Sequence, residues 1–204
     1  TVGLPPFITA TTGMDALTHA VEAYIGRSNT KETIEWSRKA ISLVFKYLYK
    51  AYANGEDLEA RDKMQKASYY AGCAFTRAYV GYVHAIAHTL SGFYNTPHGL
   101  ANAVLLPFVL EAYGESIHKS LGELGDLIGV TKEGDSQEVK AQKFIQAIEE
   151  LNKAMNIPNK IEGIEEKNIP LMIQRALKEA NPLYPVPKIL FKDDLSKIYY
   201  AIRA

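Results

Sequence analysis

The sequence holds a single cysteine, Cys73, in 204 residues, which excludes an internal disulfide framework and any thiolate zinc cluster. It also lacks an excess of either charge: Lys plus Arg number 23, and so do Asp plus Glu. Nothing therefore favours a nucleic-acid backbone or an anionic membrane surface as partner. No apolar run reaches about 18 residues, and no basic stretch followed by an apolar one opens the chain, so membrane helices and secretory signals are not expected. Several catalytic signatures are absent as well. There is no G-x-G-x-x-G after a strand, no Walker-type G-K-S/T, no H-E-x-x-H, no G-x-S-x-G and no His-Asp dipeptide. Each would have carried a nucleotide, protease, esterase or phosphohydrolase site. What is left is a globular composition, 47% hydrophobic and 23% charged, in a chain long enough to bury a sizeable core. A soluble, cytoplasmic protein is the default expectation. An initiator Met is also missing, and the opening Thr1-Val2-Gly3-Leu4-Pro5-Pro6, whose Pro pair reads as a linker or turn, looks like the middle of a longer chain.

Periodicity points to helices throughout. Thr11 to Ile25 carries Leu17, Ala20, Val21 and Tyr24 on one stripe, with Thr12 as the expected cap and Gly26 as the stop. A second helix spans about Thr30 to Ala53. A third is expected from near Asp57, charged at first, then apolar on every side from Ala67 to Leu90, the mark of a buried helix. Gly92 and Asn95-Thr96-Pro97 break that run. Leu100 to Tyr113 resumes it, with a bend expected at Pro107. Further helices fall near Ser116–Ile128, Ser136–Met155, Pro170–Ala180 and Lys192–Ile202, and the Pro-rich stretch Asn181 to Pro187 reads as an extended linker. No useful strand alternation occurs, so the fold class is all-α, a single helical bundle domain over residues 1–204.

Four of the five histidines cluster with one carboxylate in the sequence. Asp15 and His19 are four apart on one expected helix, and His84 and His88 are four apart on another, so each pair shares a face about 6 Å apart. His98 follows the Asn95–Pro97 break. Fourteen residues of continuous helix would separate His84 from His98 by roughly 21 Å, far beyond metal–nitrogen bonds of about 2 Å. If both serve one ion the chain must reverse between them, and the break supplies that reversal. One carboxylate with two or three imidazoles suits ferrous iron or zinc better than calcium or magnesium. Spacing alone does not choose between His84 and His88. His118 has no partner at useful spacing and reads as a surface residue. Cys73, between Gly72 and Ala74, reads as a small packing residue.

Three long stretches carry a family resemblance. Gly13-Met14-Asp15-Ala16-Leu17-Thr18-His19-Ala20-Val21-Glu22-Ala23-Tyr24 closely resembles the start of the helical domain of iron-containing alcohol dehydrogenases. Ala71 to Phe75, continuing through Gly81-Tyr82-Val83-His84-Ala85-Ile86-Ala87-His88, resembles their second signature. Gly92 to Ala103, with Thr96-Pro97-His98-Gly99 inside it, resembles the third. The resemblance covers essentially the whole chain. It implies the C-terminal helical domain of an enzyme whose N-terminal half is an α/β nucleotide-binding domain, on a scaffold shared with dehydroquinate synthases.

By matching positions, the resemblance implies Asp15, His19, His84 and His98 as ligands of ferrous iron, with zinc as the other candidate. It places His88 beside the metal without ligating it, near nicotinamide and substrate, and an imidazole one turn from His84 is there the expected catalytic proton relay. Phe75 then lines the substrate and nicotinamide pocket. The implied reaction is hydride transfer between an alcohol or aldehyde and NAD or NADP, and the implied partners are a small alcohol or aldehyde, the N-terminal domain and further copies in a homo-oligomer. A ferrous ion acts there as a Lewis acid on the substrate oxygen. One departure stands out: where the family often has Ser-Asn after the Phe75 position, this chain has Thr76-Arg77, which bears on substrate and cofactor preference. Two other readings carry their own expectations. A non-catalytic metal-binding module would take up metal with no nicotinamide enzyme encoded upstream, and a metal-dependent lyase would bind dinucleotide without net NADH formation.

Overall fold

The computed structural model describes residues 1–204 and is all-helical. Its helices are α1 (Pro6–Ile25), α2 (Lys31–Ala53), α3 (Leu58–Ala78), α4 (Tyr82–Tyr94), α5 (His98–Tyr113), α6 (His118–Ile128), α7 (Gln137–Ala154), α8 (Ile169–Ala180) and α9 (Lys192–Ile202). Short 3₁₀ turns occupy Gly114–Ile117 and Glu166–Asn168. The one β feature is an isolated parallel bridge between Ile161 and Arg203.

Capping explains several boundaries. Thr30 accepts from the Thr33 amide at 3.2 Å while Thr33 Oγ1 accepts from the Thr30 amide at 2.8 Å, a reciprocal box that starts α2. Asp57 and Ser136 cap α3 and α7 in the same sense, accepting from the Ala60 and Val139 amides. The start of α1 departs from expectation. It begins at Pro6, five residues before Thr11, and Thr12 donates to the Ile8 carbonyl rather than capping. The Pro pair that reads as a linker is instead a helix start: proline has its φ preset for the first helical position and needs no amide partner there.

The expected third helix is two helices. Tyr79 adopts φ 66 and ψ −175 and, with Val80 and Gly81, separates α3 from α4. A tyrosine in that region costs on the order of 1–3 kcal/mol, and it shows in the sequence as just another apolar position in an apolar run. His84 and His88 therefore sit near the start of α4 rather than deep in a long helix.

Fourteen of the twenty α1 residues are buried, because α1 is central: α2, α3 and α5 all pack on it, and α4 packs on α5 and α8. One cluster of 49 buried apolar residues joins these helices. Each Leu, Ile or Val in it contributes about 1.5–3 kcal/mol. Helix α5 runs unbroken through Pro107, and the continuous helical stretch His98–Ile128 is long and apolar enough by composition to cross a membrane. Its apolar window is 61% buried within the domain, which makes it a core element here.

Candidate metal centre

Asp15 and His19 lie one turn apart on α1, His84 on the first turn of α4, and His98 is the first residue of α5. Donor atoms of Asp15, His19 and His84 all lie within 4.8 Å of one another. Asp15 Oδ1 is 3.9 Å from His19 Nδ1, 3.6 Å from His84 Nε2 and 3.5 Å from His98 Nε2. Two ligands bound tetrahedrally at about 2.1 Å lie about 3.4 Å apart, so the carboxylate has the spacing of a shared shell to each imidazole. His98 falls outside the tightest group and reaches it through Asp15.

Close backbone approach makes this convergence possible. A Cβ on Gly99 would lie 2.4 Å from the Thr11 carbonyl oxygen, so only glycine lets the start of α5 press against α1 and bring His98 to Asp15. The reversal after α4 is made by Asn95 in the left-handed region, φ 52, a conformation asparagine tolerates. That matches the break expected at Asn95–Pro97.

The cluster has supports that spacing did not reveal. Glu22, 3% exposed on α1, accepts from His84 Nδ1 at 2.6 Å with one oxygen and from the Val83 amide at 2.8 Å with the other. The His84 ring is thereby held by its far nitrogen, with Nε2 turned toward Asp15, as a carboxylate behind a metal-binding imidazole does. Gly81 makes room for this contact, since a Cβ there would stand 2.8 Å from Glu22 Oε1. Asn102, one turn after His98, donates to Asp15 Oδ1 at 2.6 Å, and its amide nitrogen is 3.0 Å from His98 Nε2. A signal for Glu22 did exist: it is a lone acid among Ala20, Val21, Ala23 and Tyr24, and a charge on an apolar face must find a partner.

Electrostatics divides the imidazoles. Burial, reinforced by His84, drives His19 down to about 4 against the pull of Asp15. Burial also lowers His98. For His84 burial works the same way, but the nearby Asp15 carboxylate and the hydrogen bond to Glu22 outweigh it and raise the ring to about 9. Burial opposes ionisation of Asp15 too, and His84 with the other surrounding imidazoles holds its carboxyl below the usual range. At neutral pH two imidazoles are thus neutral and ligand-ready, and the third holds a proton that a cation must displace. An acidic oxygen with three imidazoles matches ferrous iron or zinc.

His88 lies one turn past His84, exposed on the side away from the core. Its ring stacks on His98 at 5.3 Å between centroids, and its Nδ1 donates to Glu179 on α8 at 2.6 Å. Tyr184 donates to the same Glu179 oxygen at 2.8 Å. Phe75, half-buried on α3, stacks on His19 at 4.1 Å. All six residues singled out from the sequence therefore meet at one place, while His118 lies apart on α6. Glu179 and Tyr184 have no sequence signal, because only the α4–α8 packing brings them to His88. Cys73 is half-buried at a surface groove rather than packed in the core.

The family described as Fe-containing alcohol dehydrogenase, C-terminal, matches residues 9–203. Alcohol dehydrogenase 4 of Saccharomyces cerevisiae is 41% identical over 182 residues, which is 87% of this chain and 46% of that protein. The 1,3-propanediol dehydrogenase of Klebsiella pneumoniae is 43% identical, over 88% of this chain and 47% of its own length. A crystal structure of a 1,3-propanediol oxidoreductase superposes with a TM-score of 0.93 at 39% identity, covering 98% of this chain and 53% of that one. The chain thus spans about half the length of these relatives.

Proposed function

This chain belongs to the Fe-containing alcohol dehydrogenase family, and on that premise we propose that it is the metal-binding domain of an enzyme that interconverts alcohols and aldehydes with NAD or NADP. The observation that carries the proposal is the convergence of Asp15, His19 and His84, whose donor atoms lie within 4.8 Å of one another, with His98 Nε2 3.5 Å from Asp15. Ferrous iron suits that set, with zinc as the competing ion. A bound ion there would supply a Lewis acid for the substrate oxygen, and a bound nicotinamide would supply the hydride-transfer chemistry. The half of the enzyme outside this domain is proposed to hold the dinucleotide, and the assembly to be a soluble, cytoplasmic homo-oligomer.

The domain's own residues have distinct tasks. Asp15 offsets the charge of the ion and, held by Asn102, keeps its oxygen aimed at the imidazoles. Glu22 fixes the tautomer and tilt of His84. His88 is proposed as the proton relay: it is exposed, beside the cluster, and anchored through Nδ1 to Glu179, so its Nε2 is the end left to exchange a proton. Phe75, stacked on His19, gives the site an apolar wall against which a substrate carbon and a nicotinamide face could rest. Arg77 after Phe75 pairs with Glu32 and lies over Trp36, so the departure from the family's usual Ser-Asn pair faces α2.

Anaerobic reconstitution of the full-length protein with ferrous iron tests the reading. Alcohol-dependent formation of reduced nicotinamide, lost in both Asp15→Asn and His84→Ala, is the expected result. Dinucleotide binding without any net reduction would favour the lyase reading, and metal uptake with neither would favour a non-catalytic module.

A further inference from the structure

Away from the metal cluster, Arg61 is an anomaly of charge. It is 5% exposed, yet it takes part in no salt bridge, whereas a buried guanidinium ordinarily has an anion. The acids nearest in sequence are committed elsewhere. Asp57 caps the Ala60 amide at 2.9 Å, Glu59 accepts from the Tyr47 hydroxyl at 3.1 Å, and Asp62 pairs with Lys66 at 2.8 Å. Arg61 also stands in the first turn of α3, at the end of the helix where the backbone dipole repels a cation and attracts an anion. Its Nε donates to the Gly55 carbonyl at 2.9 Å, Nη1 to Thr9 Oγ1 at 2.7 Å and Nη2 to the Leu4 carbonyl at 3.2 Å. All three acceptors are neutral, and a guanidinium has five N–H groups, so one on each Nη is left over.

Beside this group lies a cavity of about 150 Å³, whose polar lining is Arg61 with Thr1, Thr9, Thr12, Gln65 and Ser68 and whose remaining wall, from Leu4, Ala16, Leu48 and Met64, is apolar. That is room for roughly five waters, enough for one small oxyanion group and too little for a nucleotide. Thr9 Oγ1 accepts from Arg61, which leaves its own hydrogen to donate. Gln65 and Ser68, exposed on the same wall, bring further hydrogen-bond donors. The forked guanidinium matches the paired oxygens of a carboxylate or phosphate.

We propose that Arg61 and this cavity form a binding site for a single oxyanion group, phosphate or carboxylate, supplied either by a small soluble anion or by an acidic side chain elsewhere in the enzyme's own chain. The site is independent of the metal centre and of the reaction proposed above.

Thermal unfolding of the full-length protein, followed at constant ionic strength while sodium phosphate replaces sodium chloride, separates the sources. A soluble ligand gives a saturable rise in Tm of several degrees, and Arg61→Gln abolishes it. If the chain's own carboxylate fills the site, the wild type does not respond to phosphate and Arg61→Gln lowers Tm. One Asp→Asn or Glu→Gln substitution outside residues 1–204 then lowers Tm by the same amount, with no further loss in the double variant. A wild type that ignores phosphate, with no acidic substitution coupled to Arg61→Gln, overturns the proposal and leaves Arg61 as a clamp on the Leu4 and Gly55 carbonyls. Should Arg61→Gln not fold, Arg61→Lys, which keeps the charge and loses the fork, replaces it in both comparisons.

Discussion

Glu22 and His84 govern how the cluster responds to pH. The folded His84 holds its proton up to about 9 because the nearby Asp15 carboxylate and the hydrogen bond to Glu22 outweigh the cost of burial. An ion that takes Nε2 must displace that proton, so metal uptake near pH 7 releases about one proton per ion. Apparent affinity should rise about tenfold per pH unit until about 9 and weaken as pH falls. Calorimetry in buffers of different ionisation enthalpy measures the released proton, and a heat of binding independent of buffer would contradict the assignment. Acid adds a second loss when His19, held down to about 4, takes up a proton in its turn. Glu22→Ala removes the carboxylate that orients the His84 ring. At about pH 9, where proton competition has faded, metal affinity should drop by 10- to 100-fold.

At the scale of the element, the decisive contact is between the start of α5 and the middle of α1. Gly99→Ala drives a methyl group to 2.4 Å from the Thr11 carbonyl oxygen, and a backbone atom cannot rotate away as a side chain can. We expect a loss of about 1–3 kcal/mol in stability from this overpacking, read as a lower Tm. Weaker metal binding should accompany it, because His98 moves with α5. The Thr30 cap supplies the contrast. Thr30→Ala should cost about 1 kcal/mol and leave metal affinity unchanged, since α2 contributes no donor. Equal losses of affinity in both variants would mean that the metal site tracks global stability rather than the α1–α5 approach.

For the molecule as a whole, all four proposed ligands come from helices that share one core of 49 buried apolar residues. The site should therefore assemble without the other half of the enzyme. Residues 1–204 alone are expected to bind about one ferrous or cobaltous ion per chain under anaerobic conditions. At an ion concentration 100 times Kd the unfolding free energy should rise by about 2.7 kcal/mol. Metal analysis and thermal melts with His84→Ala as the control decide it. An unchanged Tm and no bound ion would place the organisation of the site in a contact with the proposed dinucleotide-binding half.

The sequence by itself determined the helical class, the order and approximate ends of most helices, and the candidate donor residues. Helical period and capping chemistry are local, and an imidazole or carboxylate one turn from another can be read from spacing. It did not show the division of the apolar stretch into α3 and α4. The exposed, positive-φ Tyr79 that makes that turn has no local signature. It also misled at the Pro5–Pro6 pair, where the same residues serve a linker or a helix start and only the docking of α1 chooses. Spacing left His84 and His88 equivalent. Tertiary structure separated them, placing His84 against buried Glu22 and turning His88 outward to Glu179, because a carboxylate on a neighbouring helix settles which imidazole faces inward. The geometry of the cluster and the unpaired charge of Arg61 likewise exist only after the helices pack, since each depends on residues tens of positions apart meeting within hydrogen-bond distance.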